Sequence, residues 1–195
     1  MGGRDGRMGI PFGAMPKPTV CLLILLAAAL MFCPAGCNRK RSNVDATIEE
    51  TPTQQIELTM VQANDLKAAK QLIKGFYEVE QGSFRWTMGQ FSATLRPPLH
   101  SSERGAKLIL SLGVPEPVIQ KLKSIKLSAS VDGVALPAET YTKPGGYVYS
   151  REVPPQALAK RVVAVTFTLD KCLPPSDADR RELGVVVTAV GFEAK

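Results

Sequence analysis

The stretch "IKLSASVDGVALPAETY", Ile125–Tyr141, settles the class of fold. Ile125, Leu127, Ala129 and Val131 alternate with polar residues, the period-two signature of a strand that buries one face. Asp132-Gly133 then supplies a two-residue turn whose backbone twist matches that of paired strands, and Val134–Tyr141 runs back beside the first arm. Outward from this hairpin the same pattern recurs. On the C-terminal side "YVYSREV" follows a Pro144-Gly145-Gly146 turn, and "VVAVTFTLD" and "LGVVVTAVGF" are β-branched runs with apolar residues on both faces, as expected at a sandwich centre. On the N-terminal side "AKLILSL", "FSATL" and "IELTMV" read as further strands.

Helical signals are few. Asn64 or Asp65 can cap a short N-terminal helix that places Leu66, Ala69, Leu72 and Ile73 on one face and stops at Gly75. Single turns are expected at "PEPVIQKL" and "PPQALAK", where proline suits the first helical position. About eight short strands punctuated by prolines, with one short N-terminal helix, predict an all-β fold: an antiparallel, jelly-roll-like β-sandwich over residues 56–195. A domain of about 140 residues buries roughly two-thirds of its unfolded surface, enough for its own core.

The N-terminal third follows other rules. Cys21–Cys33 is an unbroken apolar run of 13 residues, whereas a helix that spans a bilayer needs about 20. With Lys17 before it and Ala35 and Gly36 after it, the run fits the apolar core of a secretory signal, residues 1–37. Translation is expected to begin at Met15 or Met8, since "MPKPTV" is an ordinary short basic start. Residues 38–55 hold no aromatic side chain and are rich in Ser, Asn, Thr, Gln and Glu, a composition unable to bury a core; they are expected to form a flexible tether.

"PAGC", Pro34–Cys37, resembles the lipobox of bacterial lipoproteins, with Pro34 in place of the usual leucine. That resemblance implies acylation of Cys37 and a lipid anchor in the cell envelope, with Asn38 after the cysteine leaning toward the outer membrane; the alternative is cleavage and secretion as a soluble protein. Two acyl chains hold a protein on a bilayer lastingly. Arg39, Lys40 and Arg41 would then lie beside anionic headgroups. Once Cys21, Cys33 and Cys37 are accounted for, Cys172 stands alone, so no disulfide framework is expected.

Charge argues against nucleic acid as a partner. Of 24 basic and 18 acidic residues, three and one fall within residues 1–37, which leaves 21 against 17 without a basic stripe interleaved with aromatics. Catalytic signatures are equally lacking. The one histidine, His100, is followed by Ser101 and Ser102 in a loop without a G-x-S-x-G context. Glu78 and Glu80 alternate along an extended segment, and Asp177 and Asp179 share a turn that Asx chemistry or a bound Ca²⁺ would serve equally. No phosphate loop, dinucleotide fingerprint or zinc pattern occurs, so neither cofactor nor metal is expected.

Two stretches carry unusual chemistry, "GFYEVEQGSFRWTMGQF" and "SDADRRELGVVV". Gly75, Phe76, Tyr77, Glu80 and Phe84-Arg85-Trp86-Thr87 in the first, with Asp179, Arg181, Leu183 and Gly184 in the second, resemble a family of bacterial domains found alone in lipoproteins and appended to glycosyltransferases and other polysaccharide-related enzymes. The resemblance implies a galactose-binding-like jelly roll. Arg180 departs from it, standing where a proline or small residue is usual. Tyr77, Glu80, Arg85, Trp86, Asp179 and Arg181 are therefore candidates either for gripping a sugar, by ring stacking and charged forks, or for pinning the sandwich through core packing and ion pairs. Tyr141, Tyr147 and Tyr149 form a second aromatic group that either stacks on ligand or packs across strands. The function that follows is non-catalytic binding of envelope polysaccharide; the alternative is an adaptor that docks on another envelope protein.

Overall fold

A computed structural model describes residues 57–195, so the expected signal segment, Cys37 and the tether lie outside the described residues. The described chain runs β1 (Met60–Gln62), β2 (Leu72–Glu80), β3 (Phe84–Leu95), α1 (Ser101–Arg104), β4 (Ala106–Val114), α2 (Glu116–Leu122), β5 (Ile125–Val131), β6 (Val134–Tyr141), β7 (Gly145–Val153), β8 (Val163–Leu169) and β9 (Val186–Ala194). All nine strands pair antiparallel in the order β6-β5-β8-β3-β9-β4-β7, with β1 added to β9 and β2 to β3. The fold is an all-β, jelly-roll-like sandwich.

Strand β3 makes the sandwich possible. Its residues Gln90–Leu95 pair with β8, while Arg85 and Trp86 pair with β9, so one long strand serves both halves. The halves meet over Phe91, Phe167 and Tyr149: Phe91 stacks on Phe167 at 5.0 Å, and Tyr149 meets Phe167 edge-on at 6.4 Å. Leu108, Leu110, Leu127, Val165 and Val187 are fully buried around them. At the open edges β6 and β7 are bound by side chains instead of a ladder: the Tyr149 hydroxyl and Arg151 Nε both donate to the Pro137 carbonyl at 2.9 Å. Pro137 thus blunts an edge that would otherwise invite another strand.

The Asp132-Gly133 hairpin forms as its sequence demands, with both residues at positive φ and Val131 opposite Val134. Gln81-Gly82 does the same between β2 and β3, with φ values of 51° and 64°, a turn that lacked an Asn or Asp to announce it. Helix α2 and a 3₁₀ turn at Pro155–Leu158 occupy the two proline-led stretches.

The expected helix from Asn64 to Lys74 does not form. Asp65 does cap, accepting from the Lys67 and Ala68 amides at 2.8 and 3.4 Å, but the chain makes only one 3₁₀ turn, Ala69–Gln71, before entering β2. Gln71 decides this. Its buried amide accepts from the Leu58 N–H at 2.8 Å and donates to the Leu58 and Thr94 carbonyls at 3.1 and 2.7 Å. A polar side chain satisfied in this way replaces the apolar stripe on which a helix would rest: of that stripe Leu66 and Ile73 face solvent while Leu72 packs in part on the core. Gly75 keeps its left-handed φ of 77°, but as a bulge in β2 against β3: a Cβ there would strike the Gln90 carbonyl and lie 2.8 Å from Phe91 Cα.

Candidate functional site

Four of the six sequence candidates converge. Strand β2 carries Tyr77 and Glu80, and the loop between β8 and β9 carries Asp179 and Arg181. Arg181 Nη1 donates to Glu80 Oε1 at 2.6 Å, while its Nε and Nη2 fork onto Asp179 Oδ1 and Oδ2 at 3.1 and 2.9 Å. The guanidinium carbon lies 5.1 Å from the centre of the Tyr77 ring, a cation–π geometry. Asp179 is positioned locally: its Oδ1 also accepts from the Arg181 amide at 2.9 Å, and Ser176 N–H donates to its carbonyl at 2.7 Å. Such Asx geometry is what a short acidic side chain does in a turn.

This cluster binds itself. Hydrogen bonding from Arg181 holds the Asp179 carboxyl below the usual carboxylate range, and the same bonds with those from Glu80 push the Arg181 guanidinium higher still. Burial raises the Tyr77 phenol, helped by the nearby Glu182 carboxylate. Glu182 in turn accepts from the Gly89 amide at 2.6 Å, and burial plus that carboxylate lifts the Cys172 thiol to about 11, which leaves it protonated at neutral pH. The arrangement fastens the β8–β9 loop to β2 across a sequence separation of 101 residues.

Arg85 and Trp86 lie apart from it. Arg85 points inward, 6% exposed; its Nε donates to the Ala63 carbonyl at 2.7 Å and its Nη1 to the Tyr77 carbonyl at 2.8 Å. Of the two candidate arginines, Arg181 takes both Glu80 and Asp179, with Arg85 satisfied by backbone and 3.9 Å from Glu78. Trp86 emerges on the opposite face of β3 and is half-buried, packed in part on the core.

That opposite face leads to an open surface. Trp86 sits across from Val186, Val186 from Gly113, and Gly113 from Gly146, so the four form one row on the outer face of β3-β9-β4-β7. Beside the row a groove of about 420 Å³ is lined by Phe84, Ser111, Gly113, Tyr147, Val148 and Thr188, among others. Its floor is low because two opposed positions lack side chains: a Cβ on Gly146 would meet nothing within 4 Å. Val148 is 60% exposed there. No charged side chain lines it. Sequence reasoning did not single out Ser111, Gly113, Gly146, Val148 or Thr188; the signal was an isolated glycine inside an apolar strand, which marks a place where something comes close to the backbone.

The tyrosine group divides. Tyr141 and Tyr149 are buried; Tyr147 borders the groove but is half-buried on their side of β7, its ring 4.7 Å from that of Tyr141. The Tyr141 hydroxyl is buried without a hydrogen-bond partner, and burial raises its pKa strongly. Among the described residues no group of three or more His, Cys, Asp or Glu side chains could hold a metal ion, and no helix is long and apolar enough to cross a membrane.

No protein-family model matches the sequence, and no curated protein matches it. Among solved structures it is similar to a family GH115 4-O-methyl-α-glucuronidase with specificity for decorated arabinogalactans, at a TM-score of 0.43 and 8% identity, over 72% of this chain and 18% of that one. It is also similar to the CBM36-1 domain of a multidomain xylanase from the hindgut metagenome of Trinervitermes trinervoides, at a TM-score of 0.39 and 9% identity, over 70% of this chain and 97% of that one. A third is the carbohydrate-binding module CBM36 in complex with calcium and xylotriose, at a TM-score of 0.37 and 11% identity, over 70% and 100%. The chain thus spans less than a fifth of the first of these and nearly all of the other two.

Proposed function

We propose that this chain is a non-catalytic envelope lipoprotein, anchored through acylated Cys37, whose sandwich binds a neutral polysaccharide in the groove on the outer face of β9 and β4. The groove carries the reading. It sets the Phe84 ring beside two hydroxyl residues, Ser111 and Thr188, over a glycine floor, and no carboxylate or cation lines it. Sugar rings offer C–H faces to aromatics and hydroxyls to Ser and Thr, so an uncharged lining suits neutral sugars. A groove on an open sheet face also admits the interior of a chain, with no end required.

The polar cluster around Arg181 has no place in ligand contact on this reading; it holds the loop that precedes β9, the strand that lines the groove through Val186 and Thr188. At Gly146 a Cβ meets no atom within 4 Å, so Gly146→Phe sets a ring over the floor from an open position. Glycan-array binding by the wild type, lost in Gly146→Phe with the melting temperature preserved, is the expected result. Wild-type protein that binds no glycan, but captures an envelope protein through the same groove, overturns it in favour of the adaptor. For the anchor, Cys37→Ala abolishes palmitate labelling and releases the domain from membranes; labelling that persists refutes it.

A further inference from the structure

Away from the groove, three exposed large apolar side chains, the two most exposed among them, lie where the described chain enters the domain. Leu99 is 82% exposed at the tip of the Arg96–His100 loop, Leu66 is 75% exposed, and Leu58 is 38% exposed. They belong to one region: Glu57, Leu58, Arg96 and Leu99 line one depression, and Glu57 and Leu58 also line the next, of about 320 Å³, together with Asp65, Lys67 and Lys70. The Arg96 amide donates to the Leu58 carbonyl at 3.1 Å, which fixes the loop to the chain entry. Leu66 lies between Asp65 and Lys67.

Charge around these leucines leans to the cations, three against the carboxylates of Glu57 and Asp65. Among the described residues Lys67, Lys70 and Arg96 take part in no ion pair, whereas the Asp65 carboxylate is engaged by the Lys67 and Ala68 amides. Glu57 is the remaining acidic group of the region. Protruding leucines flanked by an excess of cations match the interfacial zone of an anionic bilayer, where apolar side chains enter the acyl boundary and ammonium and guanidinium groups stay among phosphates.

We infer that this end of the sandwich rests on the membrane: Leu58, Leu66 and Leu99 dip into an anionic lipid surface while Lys67, Lys70 and Arg96 meet its headgroups. The inference rests on the lipid-anchor reading, because the described chain begins at Glu57, which lines this patch, 20 residues after Cys37, and a flexible linker of about that length reaches only roughly 20–25 Å from its lipid. A domain so tethered has one end permanently within reach of the bilayer.

The test uses the chain from Asn38 to Lys195, which lacks Cys37 and retains every residue of the buried core from Val61 to Phe192. Sedimentation with phosphatidylglycerol vesicles is expected, little sedimentation with phosphatidylcholine vesicles, and a loss of at least about tenfold in partitioning for the Leu66→Glu, Leu99→Glu double variant, since each leucine contributes burial comparable with a core methyl cluster. Both positions are exposed, so an unchanged circular dichroism spectrum accompanies that loss. Equal partitioning of wild type and double variant, or none by either, overturns the inference. Neither result bears on palmitate labelling of Cys37, so a failure of the anchor and a failure of the docking surface are seen separately.

Discussion

The cluster around Arg181 and the groove over Gly113 and Gly146 are built from overlapping chemistry, aromatic faces and polar groups, yet they are opposites. In the cluster, Glu80 and Asp179 are both met by one guanidinium, which also faces the Tyr77 ring. In the groove the Thr188 side chain makes one 3.3 Å bond to the Ser111 carbonyl, and Val148 and Gly146 face solvent. Residue types suited to gripping a ligand serve structure when their partners come from the same chain. Unspent contact area is the better mark of a binding surface.

The comparison breaks first at Arg85. Arg85→Leu removes the side-chain donor from the buried Ala63 carbonyl and the half-buried Tyr77 carbonyl and is expected to cost about 2–4 kcal/mol, read from denaturant unfolding. A loss below about 1 kcal/mol means water replaces the guanidinium, and the polar side of the comparison is softer than drawn.

Trp86 stands in the row beside the groove and is expected to show an intermediate loss. A fully buried ring replaced by alanine costs about 3–5 kcal/mol; the half-buried Trp86 is expected to cost about 1–3 kcal/mol, with indole emission between the buried and exposed limits. Strongly red-shifted, readily quenched emission would move Trp86 into the groove's contact surface.

Arg181→Ala is expected to lower the melting temperature less than Arg85→Leu does, because its partners are about one-third exposed and solvent screens them. Since the folded Asp179 carboxyl is held below its ordinary value, the pair's stabilisation is fully present above the ordinary carboxylate pKa and disappears as pH falls through the folded one. The gap in melting temperature between wild type and Arg181→Ala therefore closes in acid. A gap constant with pH would detach Asp179 from the effect. Gly146→Phe is expected to leave the melting temperature almost unchanged while abolishing glycan retention, the smallest stability effect and the sharpest separation of groove from cluster.

Strand β3 explains why half of this site was legible in advance. "FSATL" revealed its second half through alternation, but Phe84–Gln90 belongs to a strand only because β2 and β9 lie against it. Tyr77, Glu80, Asp179 and Arg181 were identified from two motifs, and their convergence required the β8–β9 loop to fold back on β2. Ser111, Gly113, Val148 and Thr188 carried no motif, since a groove is a property of neighbouring strands.

Local chemistry was enough for the all-β class, for the Asp132-Gly133 hairpin, for α2 and the proline-led 3₁₀ turn, because turn dihedrals and side-chain periodicity act over a few residues. The tertiary structure alone decided that Ala69–Gln71 and Leu72–Glu80 are a single turn and a strand, that Arg85 turns inward while Arg181 clasps both acids, and that glycines 33 positions apart make one floor. Each of these depends on partners far along the chain: Gln71 on Thr94, Arg181 on Glu80, Gly113 on Gly146. A residue's local preference is worth less than about 1 kcal/mol, and one buried hydrogen bond or one strand pairing outweighs it.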